Sequence, residues 1–326
     1  MKKIIAVILL CALILSGCGA AAAADDGRVR VVATIFAPYD FTREIAGDAA
    51  DITMLLQPGG NAKTFEPAPQ DIMRIQNSDI FIHIGSEPWV DSILASINTS
   101  EMIIIRMMDQ VDLLREETVD DKKYTPAVTL HNYNPARCDV CVEEPLSFYK
   151  SAFDEHVWTA PGNAILIVQS IAEALAEADP DNAYLYAQNA ADYIARLKEL
   201  DAAFREVVNS GVRDTIIFGD RFPFRYFTHA YGLEYFAAIP GCRSTTEPSA
   251  AAVAFLINKI NDENIPVVFH AEMSDQRLAN TIAQATGARV LLLHASHNIS
   301  RDEFLSGTTY LDLMLKNVEA LREALN

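Results

Sequence analysis

Side chains of the types that bind metal ions stand at the ends of several apolar segments. Glu272 ends the segment VVFHAE, His294 ends VLLLH, and His297 follows His294 by three residues. His156 lies in the segment DEHVW, ahead of a long helical stretch. Imidazole nitrogens combined with a carboxylate oxygen are a typical ligand set for Zn²⁺. These residues therefore indicate a zinc-type site, provided that the fold brings them together.

Two basic residues stand at comparable positions. Lys63 lies in the turn PGGNAKTFEPAP, and Arg221 ends the segment TIIFGDR. Neither side chain can ligate a metal ion while it is protonated. Both side chains instead suit an anionic ligand, because ammonium and guanidinium groups bind carboxylates and phosphates.

The other histidines carry weaker signals. His83 lies inside an apolar strand and is expected to be structural, whereas His229 lies on a helix and is expected to be solvated. His270 shares a strand face with Glu272, because side chains two apart on a strand point the same way. It is either a residue that supports a ligand or a core histidine.

Residues 112–153 form one long irregular stretch, acidic and containing Cys and His. Cys138 and Cys141 form a CxxC pair, which outside the cytoplasm predicts a local disulfide. The alternative is a pair of thiolate metal ligands acting with His131. Cys242 has no obvious partner in the sequence. The chain contains no GxSxG, no phosphate-binding glycine loop and no HExxH, so no catalytic motif stands out.

The segments that must position these residues alternate between strand-like and helix-like patterns. Near-continuous apolar strands separated by helices are typical of a parallel sheet covered on both faces. The predicted strands are residues 29–35, 52–56, 79–85, 102–107, 215–218, 235–239, 267–269 and 290–293. The predicted helices are residues 36–46, 67–77, 89–97, 224–231, 250–261, 276–286 and 310–325. The pattern stops and then restarts, so the sequence predicts two α/β lobes.

A helical stretch over residues 163–209 separates the two patterns, and Asp179-Pro180 breaks it once. Its second part has apolar residues at helical spacing over about seven turns. We expect a rigid spine helix between an N-terminal lobe, residues 28–162, and a C-terminal lobe, residues 210–326. Ligands of open parallel sheets bind beyond the carboxyl ends of the strands, so the expected binding site is a cleft between the lobes.

The first residues follow a secretory pattern. A basic start and an apolar run of about twelve residues lead to Leu15-Ser16-Gly17-Cys18, and such a run is too short to span a membrane comfortably. The pattern is that of a bacterial lipobox, cleaved before Cys18. We expect a signal peptide over residues 1–17, a lipid on Cys18 and a flexible tether over residues 18–27. The alternative is a membrane-anchor helix with an incidental cysteine.

Length and charge restrict the class of protein further. The chain has 326 residues, 50% of them hydrophobic, and 44 acidic against 26 basic residues give a formal net charge of −18. The length predicts about two domains. The acidic excess argues against nucleic acid as a partner, because phosphate contacts need surface Lys and Arg. We expect a monomer, lipid-anchored on the extracytoplasmic face of the cell membrane.

Five segments in order resemble the solute-binding lipoproteins of bacterial zinc and manganese ABC importers. The segments are FEPAPQDI from Phe65, DEHVW from Asp154, the aromatic stretch 224–233, EPS from Glu247 and TYLDLM from Thr309. The resemblance covers nearly all of residues 29–325. It implies two α/β lobes joined by a long helix, Zn²⁺ or Mn²⁺ as the transported ligand, ABC permease and ATPase subunits as partners, and no enzymatic activity.

The metal site departs from the pattern of this family. The four positions that carry ligands in the family fall on Lys63, His156, Arg221 and His294. Of these four positions, only His156 has the residue that the family has there. His294 stands where the family has a carboxylate, so it would offer a nitrogen in place of an oxygen. Two unit charges 4 Å apart interact by about 4 kcal/mol at an effective dielectric constant of 20, so a divalent ion facing both cations would be strongly repelled.

We therefore expect a site rebuilt from His156, Glu272, His294 and His297. A second hypothesis is that the cleft binds a metal chelate or an anion through Lys63 and Arg221. Further alternatives are an exported zinc hydrolase, in which Glu272 would be the general base, and an adhesin-like role at the cell surface.

Overall fold

The computed structural model describes residues 27–62, 64–117, 153–242 and 248–326. The expected signal peptide, nearly all of the tether and most of the irregular stretch lie outside the described residues, and so do Cys18, Lys63, His131, Cys138, Cys141 and Glu247.

The first half of the described chain forms a four-stranded parallel sheet. Its strands are β1 (Val29–Ala33), β2 (Ala50–Met54), β3 (Ile80–His83) and β4 (Ile103–Arg106), in the order β2-β1-β3-β4. Helix α1 (Phe36–Ala46) packs on one face of the sheet, and α2 (Pro69–Gln76) and α3 (Val90–Leu94) pack on the other. β3 is buried at every position, because helices cover both sides of its apolar run.

Two helices connect the halves. α4 (Pro161–Ala178) begins with proline, whose missing N–H is not needed in a first turn. Asp179-Pro180 ends α4, and α5 (Ala183–Ser210) follows with 28 residues. The buried side chains of α5 recur at three- and four-residue intervals, so that one face of the helix is apolar. α5 contacts α1 in the first half and helices of the second half.

The second half repeats the topology of the first. Its strands are β5 (Thr215–Arg221), β6 (Glu234–Ile239), β7 (Val267–His270) and β8 (Arg289–Leu292), all parallel and in the order β6-β5-β7-β8. Its helices are α6 (Arg225–Tyr231), α7 (Ala250–Glu263), α8 (Arg277–Thr286), α9 (Arg301–Leu305) and α10 (Tyr310–Leu325). None of the helices within the described residues is both long and apolar enough to cross a membrane.

The predicted fold class, two parallel sheets flanked by helices with a long helix between them, is confirmed. Two local expectations differ from the structure. β5 continues to Arg221 through a shift in its register with β6, where the sequence predicts an end at residue 218. α9 was not expected, although Ser300 and Glu303 form a capping box at its start.

One hydrophobic core extends through both halves. It contains apolar side chains of β1 and β3, of α1, α4 and α5, and of β5, β7 and α10. The helices that connect the sheets are therefore packed elements of a shared interior.

Candidate metal centre

The loop after β8, residues 293–300, lies where the two halves meet. The main-chain N–H of Phe36, just after β1, donates to the carbonyl oxygen of His297 across 3.2 Å. The indole N–H of Trp158 donates to the carbonyl oxygen of Ala295 across 2.7 Å. The loop therefore lies beyond the carboxyl ends of strands from both sheets, the region in which open parallel sheets bind ligands.

Glu272, two residues beyond β7, holds this loop through its carboxylate. Oε2 accepts a hydrogen bond from the N–H of Ala295 at 2.7 Å, and Oε1 accepts one from the N–H of His297 at 2.9 Å. Burial raises the pKa of Glu272, but the neighbouring His294 ring and the main-chain N–H donors outweigh it and lower that pKa. The carboxylate is thus ionised, and a metal ion would have to use the remaining lone pair of either oxygen.

His294 is fixed by the main chain and by α10. Its N–H donates to Oδ1 of Asn317 at 2.7 Å, and the Asn317 amide donates back to the His294 carbonyl at 2.8 Å. Nδ1 of the ring accepts a hydrogen bond from the N–H of Ser296 at 3.0 Å. In a neutral ring Nε2 then carries the proton, and this buried atom has no hydrogen-bond partner.

His156 is oriented by the carboxylate two residues before it. Oδ1 of Asp154 lies 2.9 Å from the His156 main-chain nitrogen and 3.1 Å from Nδ1 of its ring. Because the carboxylate only accepts, Nδ1 carries a proton, and Nε2 is the ring nitrogen through which His156 could bind a metal ion. The Tyr226 hydroxyl on α6 donates to the Asp154 carbonyl and accepts from the N–H of Leu114, which anchors this segment. A carboxylate on the far nitrogen is the usual arrangement of a metal-binding histidine.

The rings of His156 and His297 meet at this junction. Their centroids are 5.6 Å apart with the planes at 67°, and Trp158 packs edge-on against His297 at 5.3 Å. Burial lowers the pKa of His297, and the neighbouring charge of His156 lowers it further. His297 is therefore neutral near pH 7, which is the form of imidazole that binds metals.

Two further side chains that the sequence reasoning passed over also contact His156. The buried thiol of Cys242, three residues beyond β6, lies beside the His156 ring, and burial raises the pKa of that thiol. Oε1 of Glu155 lies 3.9 Å from Nε2 of His156, and Oε2 of Glu155 accepts a hydrogen bond from the Ser86 hydroxyl at 2.7 Å. The same rule that selected Glu272 and His294, a position just beyond the carboxyl end of a strand, applies to Cys242.

The structure thus pairs the rings of His156 and His297. It places Glu272 beside His294, with Oε2 of Glu272 4.0 Å from Nδ1 of His294. Within the described ranges, no three His, Cys, Asp or Glu side chains form a ready-made metal site. Arg221 is half-buried at the end of β5, and its main-chain N–H donates to Oδ1 of Asp220 at 2.8 Å.

The other histidines among the described residues have structural or surface positions. His83 is buried on β3, 3.6 Å from the carboxylate of Glu87. His270 is buried at the end of β7, with Nδ1 2.9 Å from the carbonyl oxygen of Ala271. His229 lies exposed on α6.

The sequence matches the profile of one protein family over residues 31–324, that of ZnuA, described as zinc-uptake complex component A, periplasmic. Zinc-binding protein AdcA of Streptococcus pyogenes serotype M18 is 29% identical over 299 residues, which cover 91% of this chain and 56% of that protein. The chain thus spans little more than half the length of the streptococcal relatives. High-affinity zinc uptake system protein ZnuA of Bacillus subtilis is 28% identical over 326 residues, covering 98% and 96% of the two chains.

Solved structures agree with this fold. The metal-dependent lipoprotein YcdH from Bacillus subtilis superposes with a TM-score of 0.72 at 27% identity, covering 92% of this chain and 100% of that one. The Zn(II)-bound ZnuA-like domain of Streptococcus pneumoniae AdcA superposes with a TM-score of 0.71 at 26% identity, covering 92% and 99%.

Proposed function

The chain belongs to the ZnuA family of zinc-uptake components, and we propose from this premise that it binds Zn²⁺ outside the cytoplasm and delivers it to an ABC importer. Relatives that align along almost their whole length, such as the Bacillus subtilis protein, carry the zinc-uptake name. The role is one of binding and transfer, without catalysis.

One observation carries the proposal, the meeting of His156 and His297 where the two halves join. His156 would bind the ion through Nε2, because Asp154 holds a proton on Nδ1. His297 is kept neutral by its surroundings. Two imidazole nitrogens favour Zn²⁺ over Mn²⁺, which prefers carboxylate, carbonyl and water oxygens.

Glu272 and His294, the other two members of the predicted ligand set, support the loop that carries His297. Both oxygens of Glu272 accept main-chain hydrogen bonds from that loop, and Nδ1 of His294 accepts a third. In this arrangement the lone pair of His294 is already used by Ser296. We propose that Glu272 and His294 position the metal site, and that His156 and His297 bind the ion.

The proposed partners follow from family membership. They are a permease and an ATPase subunit in the membrane, to which the protein, a monomer, would be held by a lipid on Cys18. The N-terminal and C-terminal lobes, residues 28–162 and 210–326, would each contribute one of the two histidines, joined by the helices of residues 163–209.

Titration calorimetry with Zn²⁺ on the metal-free full chain in detergent tests the proposal. We expect His156→Ala and His297→Ala each to lose most of the zinc affinity, since each removes one of the two nitrogens. His229→Ala is the matched control, because that ring is exposed on α6, and it should bind zinc like the wild type. Zinc affinity that survives both substitutions would show that this junction is not the site.

A further inference from the structure

Asn298, the residue after His297, joins the loop after β8 to the first half of the chain through its side chain. Its amide nitrogen donates to the carbonyl oxygens of Gln57 at 3.1 Å and of Gly60 at 2.6 Å. Both acceptors belong to the turn that follows β2. The Asn298 side chain is buried, so water has little access to replace either bond. The side chain therefore connects the two halves directly beside a histidine of the proposed metal site.

The orientation of this amide is fixed by its oxygen. Oδ1 of Asn298 accepts a hydrogen bond from the main-chain N–H of Ile299 at 2.8 Å. Turning the amide over would set that oxygen against two carbonyl oxygens, which can only accept. The Ile299 carbonyl in turn accepts from the N–H of Gly59 at 2.7 Å. The loop and the turn are thus joined in both directions, and the NH₂ group must face the turn.

The turn of residues 57–60 is built to present its carbonyl oxygens. Pro58 and Gly59 occupy its centre, and Gly59 has φ +80°, which a type II turn requires at its third residue. The N–H of Gly60 donates to the Gln57 carbonyl at 2.8 Å and closes the turn. That carbonyl has a second lone pair, which the Asn298 amide uses. The acceptors are therefore held in place without help from Asn298.

This contact bears on the zinc site because it holds the residue next to His297. The His297 carbonyl oxygen itself accepts a hydrogen bond from the N–H of Phe36 in the first half at 3.2 Å. An ion bound between the rings of His156 and His297 leaves when those rings separate. The loop after β8 then moves away from the first half, and the bonds of the Asn298 amide break in that movement.

We propose that Asn298 is a positioning residue of the zinc site, which holds His297 against the first half through the turn of residues 57–60 and thereby sets the rate of zinc release. This inference rests on the proposed zinc-binding function and adds a control of release to it. Release requires the two amide bonds to break. Capture starts from the open arrangement, in which these bonds are absent. The residue therefore affects the dissociation rate constant and not the association rate constant.

Zinc release from the full chain in detergent tests the proposal. The zinc-loaded protein is mixed with an excess of a chromophoric chelator, at chelator concentrations over which the rate is constant. We expect Asn298→Ala to release zinc about tenfold faster, the effect of losing two buried hydrogen bonds of ordinary strength. Asn298→Asp should act more strongly, because an ionised carboxylate cannot donate and would face two carbonyl oxygens. Association rates should equal that of the wild type in both variants.

Asn189→Ala is the matched control. The Asn189 amide on α5 also donates to a main-chain carbonyl of the first half, that of Ile45 at 2.9 Å, but away from the loop after β8. It should release zinc at the wild-type rate. Acceleration equal to that of Asn298→Ala would show that release follows general stability, and would overturn the positioning role.

Gly60→Ala tests the same contact from the other half. A Cβ atom on Gly60 would lie 2.8 Å from the Gln57 carbonyl oxygen, so the turn must shift while Asn298 stays in place. We expect faster zinc release here as well, which keeps the proposal testable if the Asn298 variants do not fold. Release at the wild-type rate from all three variants that fold would overturn the positioning role and leave zinc binding standing. If the wild type binds no zinc, both proposals are wrong.

Discussion

The indole N–H of Trp158 donates to the carbonyl oxygen of Ala295 across 2.7 Å. Trp158 follows His156 in the segment before α4, and Ala295 precedes His297 in the loop after β8. A single hydrogen bond therefore connects the two segments that carry the histidine pair.

Trp158→Phe should loosen this connection. The substitution removes the indole N–H and leaves a buried carbonyl oxygen without that donor, which costs about 1–3 kcal/mol. We expect a loss of stability of that size in chemical denaturation, together with weaker zinc binding by calorimetry. Trp89→Phe is the control, since Trp89 packs against Phe65 in the apolar cluster around α2 and α3. Equal zinc affinities in the two variants would contradict a role for the Trp158 bond.

Asp154→Asn should weaken zinc binding about 10–100-fold, the usual effect of losing a carboxylate behind a metal-binding histidine. The amide can turn its NH₂ toward Nδ1 of His156, which moves the ring proton to Nε2 and removes the lone pair that the metal uses. Asp312→Asn serves as the control, because that exposed side chain caps α10. An unchanged zinc affinity in Asp154→Asn, with the wild-type fold by circular dichroism, would rule out this orienting role.

Arg221→Ala distinguishes zinc from the anionic ligand of the second hypothesis. Removing a cation from the end of β5 should leave zinc affinity unchanged or raise it, because like charges repel. The same holds for Lys63→Ala. A site for a metal chelate or an anion behaves in the opposite way, losing its ligand with either substitution and tolerating His156→Ala. Titration of these three variants with Zn²⁺ decides between the hypotheses.

Glu87→Gln should reveal a carboxylate that stabilises the fold at neutral pH. Glu87 accepts hydrogen bonds from the N–H groups of Ile84 and Gly85 and from the Thr34 hydroxyl. Burial raises its pKa, but the neighbouring His83 ring and the main-chain N–H donors outweigh this and lower the pKa to about 2.

The direction of the pH dependence of stability follows from this lowered pKa. The stabilisation is fully present above the unfolded value of about 4.3 and is lost as the pH falls toward 2. We expect the wild type to exceed Glu87→Gln in stability by on the order of 3 kcal/mol at pH 7 and the gap to close in acid, as measured by urea denaturation. A gap independent of pH would contradict this. Glu101→Gln, at an exposed position, is the control.

Gly219→Ala should destabilise the second half. A Cβ atom on Gly219 in β5 would lie 2.5 Å from Cα of Ala279 on α8, and a helix backbone cannot yield without repacking. Overpacking of this kind costs about 1–3 kcal/mol. Gly162→Ala is the matched control, because a Cβ on Gly162 meets nothing within 4 Å. We expect Gly219→Ala to unfold at a lower temperature than Gly162→Ala. Equal melting temperatures would refute the close contact.

The strands and most helices could be predicted because their apolar residues form continuous runs or recur at helical spacing. α9 carries no such pattern, and only the capping pair Ser300 and Glu303 marks it. The rule of strand ends singled out His297, and the segment DEHVW singled out His156. The structure brings these two rings together, and their binding of a metal ion stays a prediction. The contacts that Cys242 and Glu155 make with His156 were not predicted. They depend on how the chain packs, and Cys242 lies 86 positions beyond His156 in the sequence. Such a contact arises from packing, which no local pattern encodes.

The hydrophobic core that runs from β1 through α5 to β5 makes the two halves one thermodynamic unit. Neither sheet can lose its packing without exposing apolar surface of the other, so folding is cooperative across the whole molecule. An ion bound at the proposed junction site would therefore stabilise both halves by mass action, in proportion to the logarithm of its concentration relative to Kd. The occupancy of a single site is in this way linked to the lifetime of the folded protein, and metal-depleted surroundings would hasten its turnover.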